Sequence, residues 1–161
     1  KLISNLPYYI SSQILLKVIP LNKFVTEAVF TFQRELADRI VSESGTKNYS
    51  RLSVVIQSVC KVSRKQKLPA TVFYPEPAVD SCVLKIEPKN NIIVKDFEIL
   101  KVVTKKAFNQ RRKKINNFLK KIENISFYLN ALGINENTRA EDITVEVYCE
   151  LANLISKETN I

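Results

Sequence analysis

The run Asn5-Leu6-Pro7-Tyr8 places a carboxamide, a proline and an aromatic ring where a short apolar strand is expected to end. Ligands of open α/β sheets bind at the carboxyl ends of strands. Pro7 restrains Leu6 to an extended backbone, so the Leu6 carbonyl and the Asn5 carboxamide oxygen can point out of the sheet together. Two such acceptors suit an amino group on a planar ring, such as the exocyclic amine of adenine, with Tyr8 stacked on the base. The same residues also fit an ordinary proline turn with a buried tyrosine.

Strand and helix signals alternate over the first 90 residues, which predicts an α/β fold. Apolar, β-branched and aromatic runs indicate strands, and apolar side chains at helical spacing indicate helices. The predicted strands cover residues 1–5, 28–32, 70–73 and 81–86, and the predicted helices cover residues 11–19, 33–41 and 52–60. Such alternation implies an α/β layer with crossover connections.

The pattern becomes helical after Lys89-Asn90-Asn91, with predicted helices over 96–108, 111–122, 125–132 and 144–156. The sequence therefore predicts two domains, 1–90 and 91–161. Only two glycines occur, Gly45 and Gly133, so the chain contains no glycine-rich phosphate or dinucleotide loop. With no histidine and three widely spaced cysteines, we predict no metal site and no disulfide framework. No apolar run approaches the length of a membrane span.

Charge is concentrated in one segment of the second domain. The chain holds 25 Lys+Arg against 16 Asp+Glu, a formal charge of +9, which favours a polyanionic partner such as nucleic acid. Residues 91–121 hold 10 basic and 2 acidic side chains. We predict phosphate contacts from six residues of this segment, with a solvated surface as the alternative: Lys106, Arg111, Arg112, Lys113, Lys114 and Lys120. Lys106, Lys113 and Lys120 share a face if the segment is helical throughout, but Asn109-Gln110 can break that helix.

Seven motifs in order carry a family resemblance. The run NLPY resembles the target-base motif of adenine-N6 methyltransferases, and its continuation resembles the small-subunit (16S) rRNA adenine dimethyltransferases of the KsgA type. The matching pieces are NLPYYISS (5–12), FQRE (32–35), ADRI (37–40), YSRLSV (49–54), FYPEPAVDS (73–81), AFNQRRKK (107–114) and RAE (139–141). They span nearly the whole chain.

The resemblance implies S-adenosylmethionine-dependent dimethylation of two adjacent adenosines near the 3′ end of small-subunit rRNA. It assigns the catalytic site to Asn5, Leu6, Pro7, Tyr8 and Phe73, with Asn5 and the Leu6 carbonyl on the amine and the two rings flanking the base. Asn5 is also expected to border the methyl donor. Because the ring does the stacking, a phenylalanine at position 8 is expected to be nearly neutral.

The resemblance also implies the fold: the second half of a Rossmann-like class I methyltransferase sheet (1–90), followed by a small all-helical rRNA-binding domain (91–161). The main donor-binding motifs of the family are expected upstream of Lys1, so this segment alone is expected to be inactive. The implied partner is small-subunit rRNA or a precursor of the small ribosomal subunit, for a cytoplasmic monomer without membrane association. Two alternatives are a large-subunit rRNA methyltransferase of the Erm type, which confers antibiotic resistance, and a non-catalytic RNA-binding ribosome-assembly factor.

Overall fold

The computed structural model describes residues 1–18, 24–109, 114–115, 122, 124–135 and 137–159. The chain divides into two units, Lys1–Val41 with Val59–Asn90, and Ser42–Ser58 with Asn91–Ile161. The last border, between Asn90 and Asn91, lies at the predicted boundary Lys89-Asn90-Asn91. The segment Ser42–Ser58 differs from the prediction, because it packs with the helices of the second unit although it lies within the first 90 residues.

A four-stranded mixed sheet organises the first unit, in the order β1-β2-β4-β3. Its strands are β1 (Leu2–Asn5), β2 (Ala28–Gln33), β3 (Cys60–Leu68) and β4 (Ser81–Pro88). Strand β1 runs parallel to β2, with Asn5 opposite Thr31, and β4 is antiparallel to both β2 and β3. A helix lies between β1 and β2 in the sequence, so a helical crossover joins this parallel pair as predicted.

The core of this unit follows from alternation along two strands. Side chains at every second position of β2 and β4 are buried, as expected for strands with one face on a core. Helices α1 (Ser11–Val18) and α2 (Arg34–Val41) add apolar side chains from their own buried stripes. The resulting core contains Leu15, Ala28, Phe30, Phe32, Ala37, Ile40, Cys82, Leu84 and Ile86. The predicted strands at 28–32 and 81–86 and the helix at 33–41 are confirmed.

The predictions for 52–60 and 70–73 are wrong in part. The helix ends at Gln57, strand β3 (Cys60–Leu68) follows, and Ala70–Val72 is a 3-10 turn. Strand β3 was not predicted because it is an edge strand, rich in lysine and arginine, with most side chains exposed. Lysines on an edge strand discourage pairing with other chains, and they remove the apolar signal by which strands are recognised.

The second unit consists, in its described part, of helices and one 3-10 turn, Ala140–Asp142. The helices are α3 (Arg51–Gln57), α4 (Phe97–Phe108), α5 (Ile125–Ala131) and α6 (Val145–Thr159). Asp96 caps α4 by accepting a hydrogen bond from the Ile99 amide at 3.0 Å, as expected for an N-cap aspartate. None of the helices in the described ranges combines the length and the apolar character needed to span a bilayer.

The predicted helix over 111–122 needs correction at one end. Lys114 forms an isolated antiparallel bridge with Arg139 and is not helical, and the Ile115 amide donates to the Thr138 carbonyl at 2.9 Å. Helix α4 ends at Phe108, directly before Asn109, which agrees with a break in that region. Residues 110–113, 116–121 and 123 lie outside the described part of the chain.

Candidate functional site

The turn after β1 has the geometry that its proline predicts. Asn5 is the last residue of the strand, and Pro7 adopts φ −59° and ψ 126°. Tyr8–Ile10 then forms one 3-10 turn that leads directly into α1, closed by a hydrogen bond from the Ile10 amide to the Pro7 carbonyl at 3.2 Å. The chain therefore leaves the sheet, turns at once and places Asn5 and Tyr8 at the carboxyl end of β1.

A solvent-exposed cavity of about 310 Å³ lies at this end of β1. Its lining comes from two segments far apart in the sequence: Asn5, Leu6, Pro7, Tyr8, Phe73, Tyr74, Pro75 and Pro77. None of these eight side chains is charged. Asn5 is exposed, so its carboxamide is accessible to a ligand. The volume lies at the lower end of the range of small-ligand pockets and suits a flat, neutral group.

All five residues predicted as catalytic line this one cavity. Phe73 is far from the other four residues in the sequence, and the local structure around it fixes its position at the end of β1. The 3-10 turn before it is closed by a hydrogen bond from the Phe73 amide to the Ala70 carbonyl at 3.1 Å. Pro75 and Pro77 follow, and proline fixes φ, so the segment carrying Phe73 and Tyr74 has few alternative conformations. The catalytic roles of the five residues stay predictions.

Asp80 ties this segment to the sheet, and sequence reasoning assigned it no role. Its carboxylate accepts a hydrogen bond from the Ala70 amide at 3.1 Å, and its carbonyl accepts one from the Arg34 amide at 2.9 Å. The Arg34 guanidinium lies 3.7 Å from the same carboxylate. Asp80 thus joins both ends of the segment 70–80 and the start of α2. The motif FYPEPAVDS contains Asp80, but nothing in it indicates these partners.

Two serines fix Tyr8, and these contacts were also missed. The Tyr8 hydroxyl lies 2.5 Å from the Ser81 hydroxyl oxygen, and the Ser11 hydroxyl donates to the Tyr8 carbonyl at 3.0 Å. Ser11 and Ser81 are both buried. The sequence expectation that only the ring of Tyr8 matters therefore overlooked a bond made by its hydroxyl. No local signal could reveal it, because Tyr8 and Ser81 lie 73 positions apart.

A basic strand borders the segment that carries Phe73. Strand β3 ends shortly before that segment in the sequence and carries four basic residues, Lys61, Arg64, Lys65 and Lys67. Arg64 is bound to Asp38 at 2.5 Å.

At the start of β3, burial raises the pKa of the Cys60 thiol to about 11. All three cysteines are free and buried, so this thiol is a core group and not a nucleophile.

Two of the six residues predicted to contact phosphate are described by the structure, and both belong to the second unit. Lys106 lies in the last turn of α4 and is partly exposed, and Lys114 is exposed in its bridge with Arg139. Arg111, Arg112, Lys113 and Lys120 lie outside the described residues. Lys101, one turn before the basic end of α4, is bound to Glu98 at 2.6 Å. The RNA-binding role of these residues stays a prediction.

Two relatives from Francisella tularensis match almost the whole chain. Ribosomal RNA small subunit methyltransferase A of Francisella tularensis subsp. novicida (strain U112) is 42% identical over 158 residues, which cover 97% of this chain and 60% of that protein. The protein of the same name from Francisella tularensis subsp. tularensis (strain FSC 198) is 41% identical over the same shares. The chain thus spans 60% of the length of these relatives.

Solved structures show the same fold. A dimethyladenosine transferase from Plasmodium falciparum superposes with a TM-score of 0.83 at 23% identity, covering 99% of this chain and 68% of that one. The 23S rRNA methyltransferase ErmE superposes with a TM-score of 0.66 at 19% identity, covering 96% and 64%.

The model of one protein family, described as ribosomal RNA adenine dimethylase, matches residues 1–157. This match and the 42% identity confirm the resemblance carried by the seven motifs. The cavity at the end of β1 is lined by the first of those motifs and by the start of the fifth, so the residues that suggest the family also form its candidate site. The chain therefore belongs to the ribosomal RNA adenine dimethylase family.

Proposed function

We propose that this chain carries the acceptor-base site of an rRNA adenine dimethyltransferase that modifies two adjacent adenosines near the 3′ end of small-subunit rRNA. The observation that carries the proposal is the convergence of Asn5, Leu6, Pro7, Tyr8 and Phe73 on one uncharged cavity. The family membership supports the reaction class, and the names of the curated relatives favour the small subunit.

The cavity suits an extruded adenine because it offers neutral acceptors beside aromatic surface. In the proposal, the Asn5 carboxamide oxygen and the Leu6 carbonyl accept the two N–H groups of the exocyclic amine. Those bonds draw the nitrogen lone pair out of conjugation with the ring, which makes the nitrogen a better nucleophile. Tyr8 and Phe73 hold the base by stacking, each worth about 1–3 kcal/mol per base in comparable sites.

No strong base is required of the lining residues, because an alkylated amine loses its proton readily. This agrees with a cavity that contains no carboxylate and with a sequence that contains no histidine. A neutral carboxamide also fits two successive transfers, since it binds a dimethylated amine more weakly once the N–H donors are gone. An aspartate at position 5 would hold a cationic product more tightly.

S-adenosylmethionine enters this proposal as the methyl donor used by the family. The two glycines, Gly45 and Gly133, lie in turns of the second unit and not after a strand of the sheet. In the proposal, the donor is held by the part of the family fold that this chain does not include, and the sheet supplies the second half of the Rossmann-like domain. Asn5 is the residue of this chain that borders the donor.

The second unit is proposed to bind rRNA through Lys106, Lys114 and the undescribed Arg111, Arg112, Lys113 and Lys120. The charge of the segment supports this role, since residues 91–121 hold 10 basic and 2 acidic side chains. The proposed complete protein acts as a cytoplasmic monomer on a precursor of the small ribosomal subunit. A substrate in the large subunit is the competing reading, supported by the similar fold of ErmE.

The test is Asn5→Ala in the complete protein. Losing one preorganised acceptor is expected to cost about 2–4 kcal/mol of transition-state stabilisation, which is about a 30- to 1,000-fold slower single-turnover methylation. RNA affinity should change little, because the phosphate contacts lie elsewhere. Asn90→Ala is the matched control, an exposed asparagine of the same unit outside the cavity.

Three outcomes decide the proposal. A variant that keeps more than half of the wild-type rate contradicts the role of Asn5. Transfer to large-subunit transcripts in preference to small-subunit ones replaces the proposed substrate with the Erm-type one. RNA binding without any transfer by the wild-type protein supports the non-catalytic assembly factor instead.

A further inference from the structure

Tyr8 is held at both ends by buried serine hydroxyls. The Ser11 hydroxyl donates to the Tyr8 carbonyl at 3.0 Å, which fixes the backbone of the 3-10 turn. The Tyr8 hydroxyl lies 2.5 Å from the Ser81 hydroxyl oxygen, which fixes the far end of the ring. Ser11 is 0% exposed and Ser81 is 1% exposed, so neither hydroxyl exchanges freely with water.

Ser81 occupies one of the most constrained positions at this end of the sheet. It is the first residue of β4, which has a neighbour on each side, and it lies opposite Gln33 of β2 and Leu68 of β3. The preceding residue, Asp80, is bound through its carbonyl to the Arg34 amide and through its carboxylate to the Ala70 amide. The Ser81 hydroxyl is therefore presented from a fixed backbone.

We propose that Ser81 is a positioning residue that sets the plane of the Tyr8 ring for stacking on the acceptor base. A tyrosine side chain has two main rotatable bonds, and anchoring its hydroxyl removes most of the freedom that stacking would otherwise have to freeze. Tyr8 is only partly buried, so without this bond its ring is free to tilt into the cavity. The inference rests on the proposed function, in which Tyr8 stacks on the base.

The bond can be removed from either side, which makes the inference testable by a double-mutant cycle. Ser81→Ala and Tyr8→Phe each delete one hydroxyl of the same pair. If the two residues act as a unit, each single variant weakens base capture by about 3- to 10-fold, and the double variant is no weaker than either single one. Independent roles would make the two effects multiply.

Base capture is measured in the complete protein with a small-subunit rRNA hairpin carrying 2-aminopurine at the acceptor position, whose fluorescence falls on stacking. Total RNA affinity is measured separately and should stay within about 2-fold, because phosphate contacts dominate it. Ser58→Ala is the matched control: it also deletes a buried serine hydroxyl, bound to the Val55 carbonyl at 2.9 Å in the other unit. It should lower stability without changing the fluorescence.

Tyr8→Ala separates failure of the inference from failure of the proposed function. Unchanged quenching in Tyr8→Ala shows that Tyr8 does not stack and overturns both. Lost quenching in Tyr8→Ala together with wild-type behaviour of Ser81→Ala and Tyr8→Phe leaves the proposed function in place and overturns the inference. The inference is also overturned if the losses of base capture in the two single variants multiply in the double variant. Should Ser81→Ala fail to fold, Tyr8→Phe tests the same bond from the partly exposed side.

Discussion

Two groups of three aromatic residues have opposite environments in this protein. The cavity aromatics lie at the carboxyl end of β1 and are Tyr8, Phe73 and Tyr74. The core aromatics lie inside the second unit and are Tyr49, Phe108 and Tyr148. Each group contains two tyrosines and one phenylalanine, so composition does not distinguish them. Tyr74 is fully exposed, whereas Tyr49 and Tyr148 are 0% exposed.

The core aromatics pack against one another, and their hydroxyl groups donate hydrogen bonds to backbone carbonyls. The ring of Phe108 lies 6.0 Å from that of Tyr49 and 5.9 Å from that of Tyr148, measured between centroids. The Tyr49 hydroxyl donates to the Ile143 carbonyl and the Tyr148 hydroxyl to the Ala140 carbonyl, each at 2.9 Å. Burial raises the pKa of both phenols above the ordinary value. The rings of Tyr49 and Tyr148, at 0% exposed, are therefore not accessible to a ligand.

The cavity aromatics keep their ring surface accessible because the backbone holds them without covering them. Pro7 and Pro75 restrict the two segments, and Ser81 anchors Tyr8 by its hydroxyl alone. The difference between the groups shows that restricted backbone segments can leave aromatic rings accessible, whereas mutual packing of the rings buries them.

The largest expected effect is on stability, from Tyr148→Ala. Removing a fully buried aromatic leaves a cavity and an unpaired Ala140 carbonyl, which should lower the free energy of unfolding by about 3–5 kcal/mol. Tyr74→Ala is the matched variant among the cavity aromatics and should change it by less than about 0.5 kcal/mol. Denaturant unfolding of both variants measures the difference. Equal losses would show that Tyr74 packs against the protein as a core residue does.

A smaller effect is expected on ligand capture, from Phe73→Ala. Loss of one stacking face should weaken 2-aminopurine capture by about 1–3 kcal/mol while leaving the free energy of unfolding nearly unchanged. The exposed Phe127 of α5 is the matched control, since Phe127→Ala removes the same side chain away from the cavity. Fluorescence titration with the modified hairpin gives the result. A Phe127→Ala variant that loses as much capture as Phe73→Ala would place the base elsewhere.

The smallest expected effect concerns Lys106, a partly exposed residue in the last turn of α4, the helix whose Phe108 contacts the rings of Tyr49 and Tyr148. Lys106→Ala should lower the slope of log affinity against log salt by about 0.7–0.9, the value for one phosphate contact. The paired Lys101 serves as the control position. Neutralising Arg111, Arg112, Lys113 and Lys114 together should lower the slope by about 2 to 3 units if most of them contact phosphate.

Methylation at saturating RNA should survive both changes, since the proposed acceptor site lies in the other unit. RNA binding at several salt concentrations, run beside single-turnover transfer, separates the two functions. An unchanged slope in the fourfold variant would assign the basic segment to a solvated surface.

The sequence by itself determined the features that rest on local patterns. Apolar, β-branched and aromatic runs predicted β2 and β4, and helical spacing predicted α2, α4 and α6 close to their observed bounds. The run Asn5-Leu6-Pro7-Tyr8 and the motif beginning at Phe73 identified the residues that line the cavity. These features can be predicted from the sequence because the spacing of apolar residues, the position of a proline and the order of motifs are all properties of the linear chain.

Only the tertiary structure decided which distant residues meet. It placed the lysine-rich β3 at a sheet edge, grouped Ser42–Ser58 with the helical unit, and paired Lys114 with Arg139. It also joined Tyr8 to Ser81 across 73 positions. A hydroxyl bond of this kind depends on strand order and register, which arise from burial summed over the whole core. No residue near Tyr8 carries that information, because the partner is selected by the packing of the sheet.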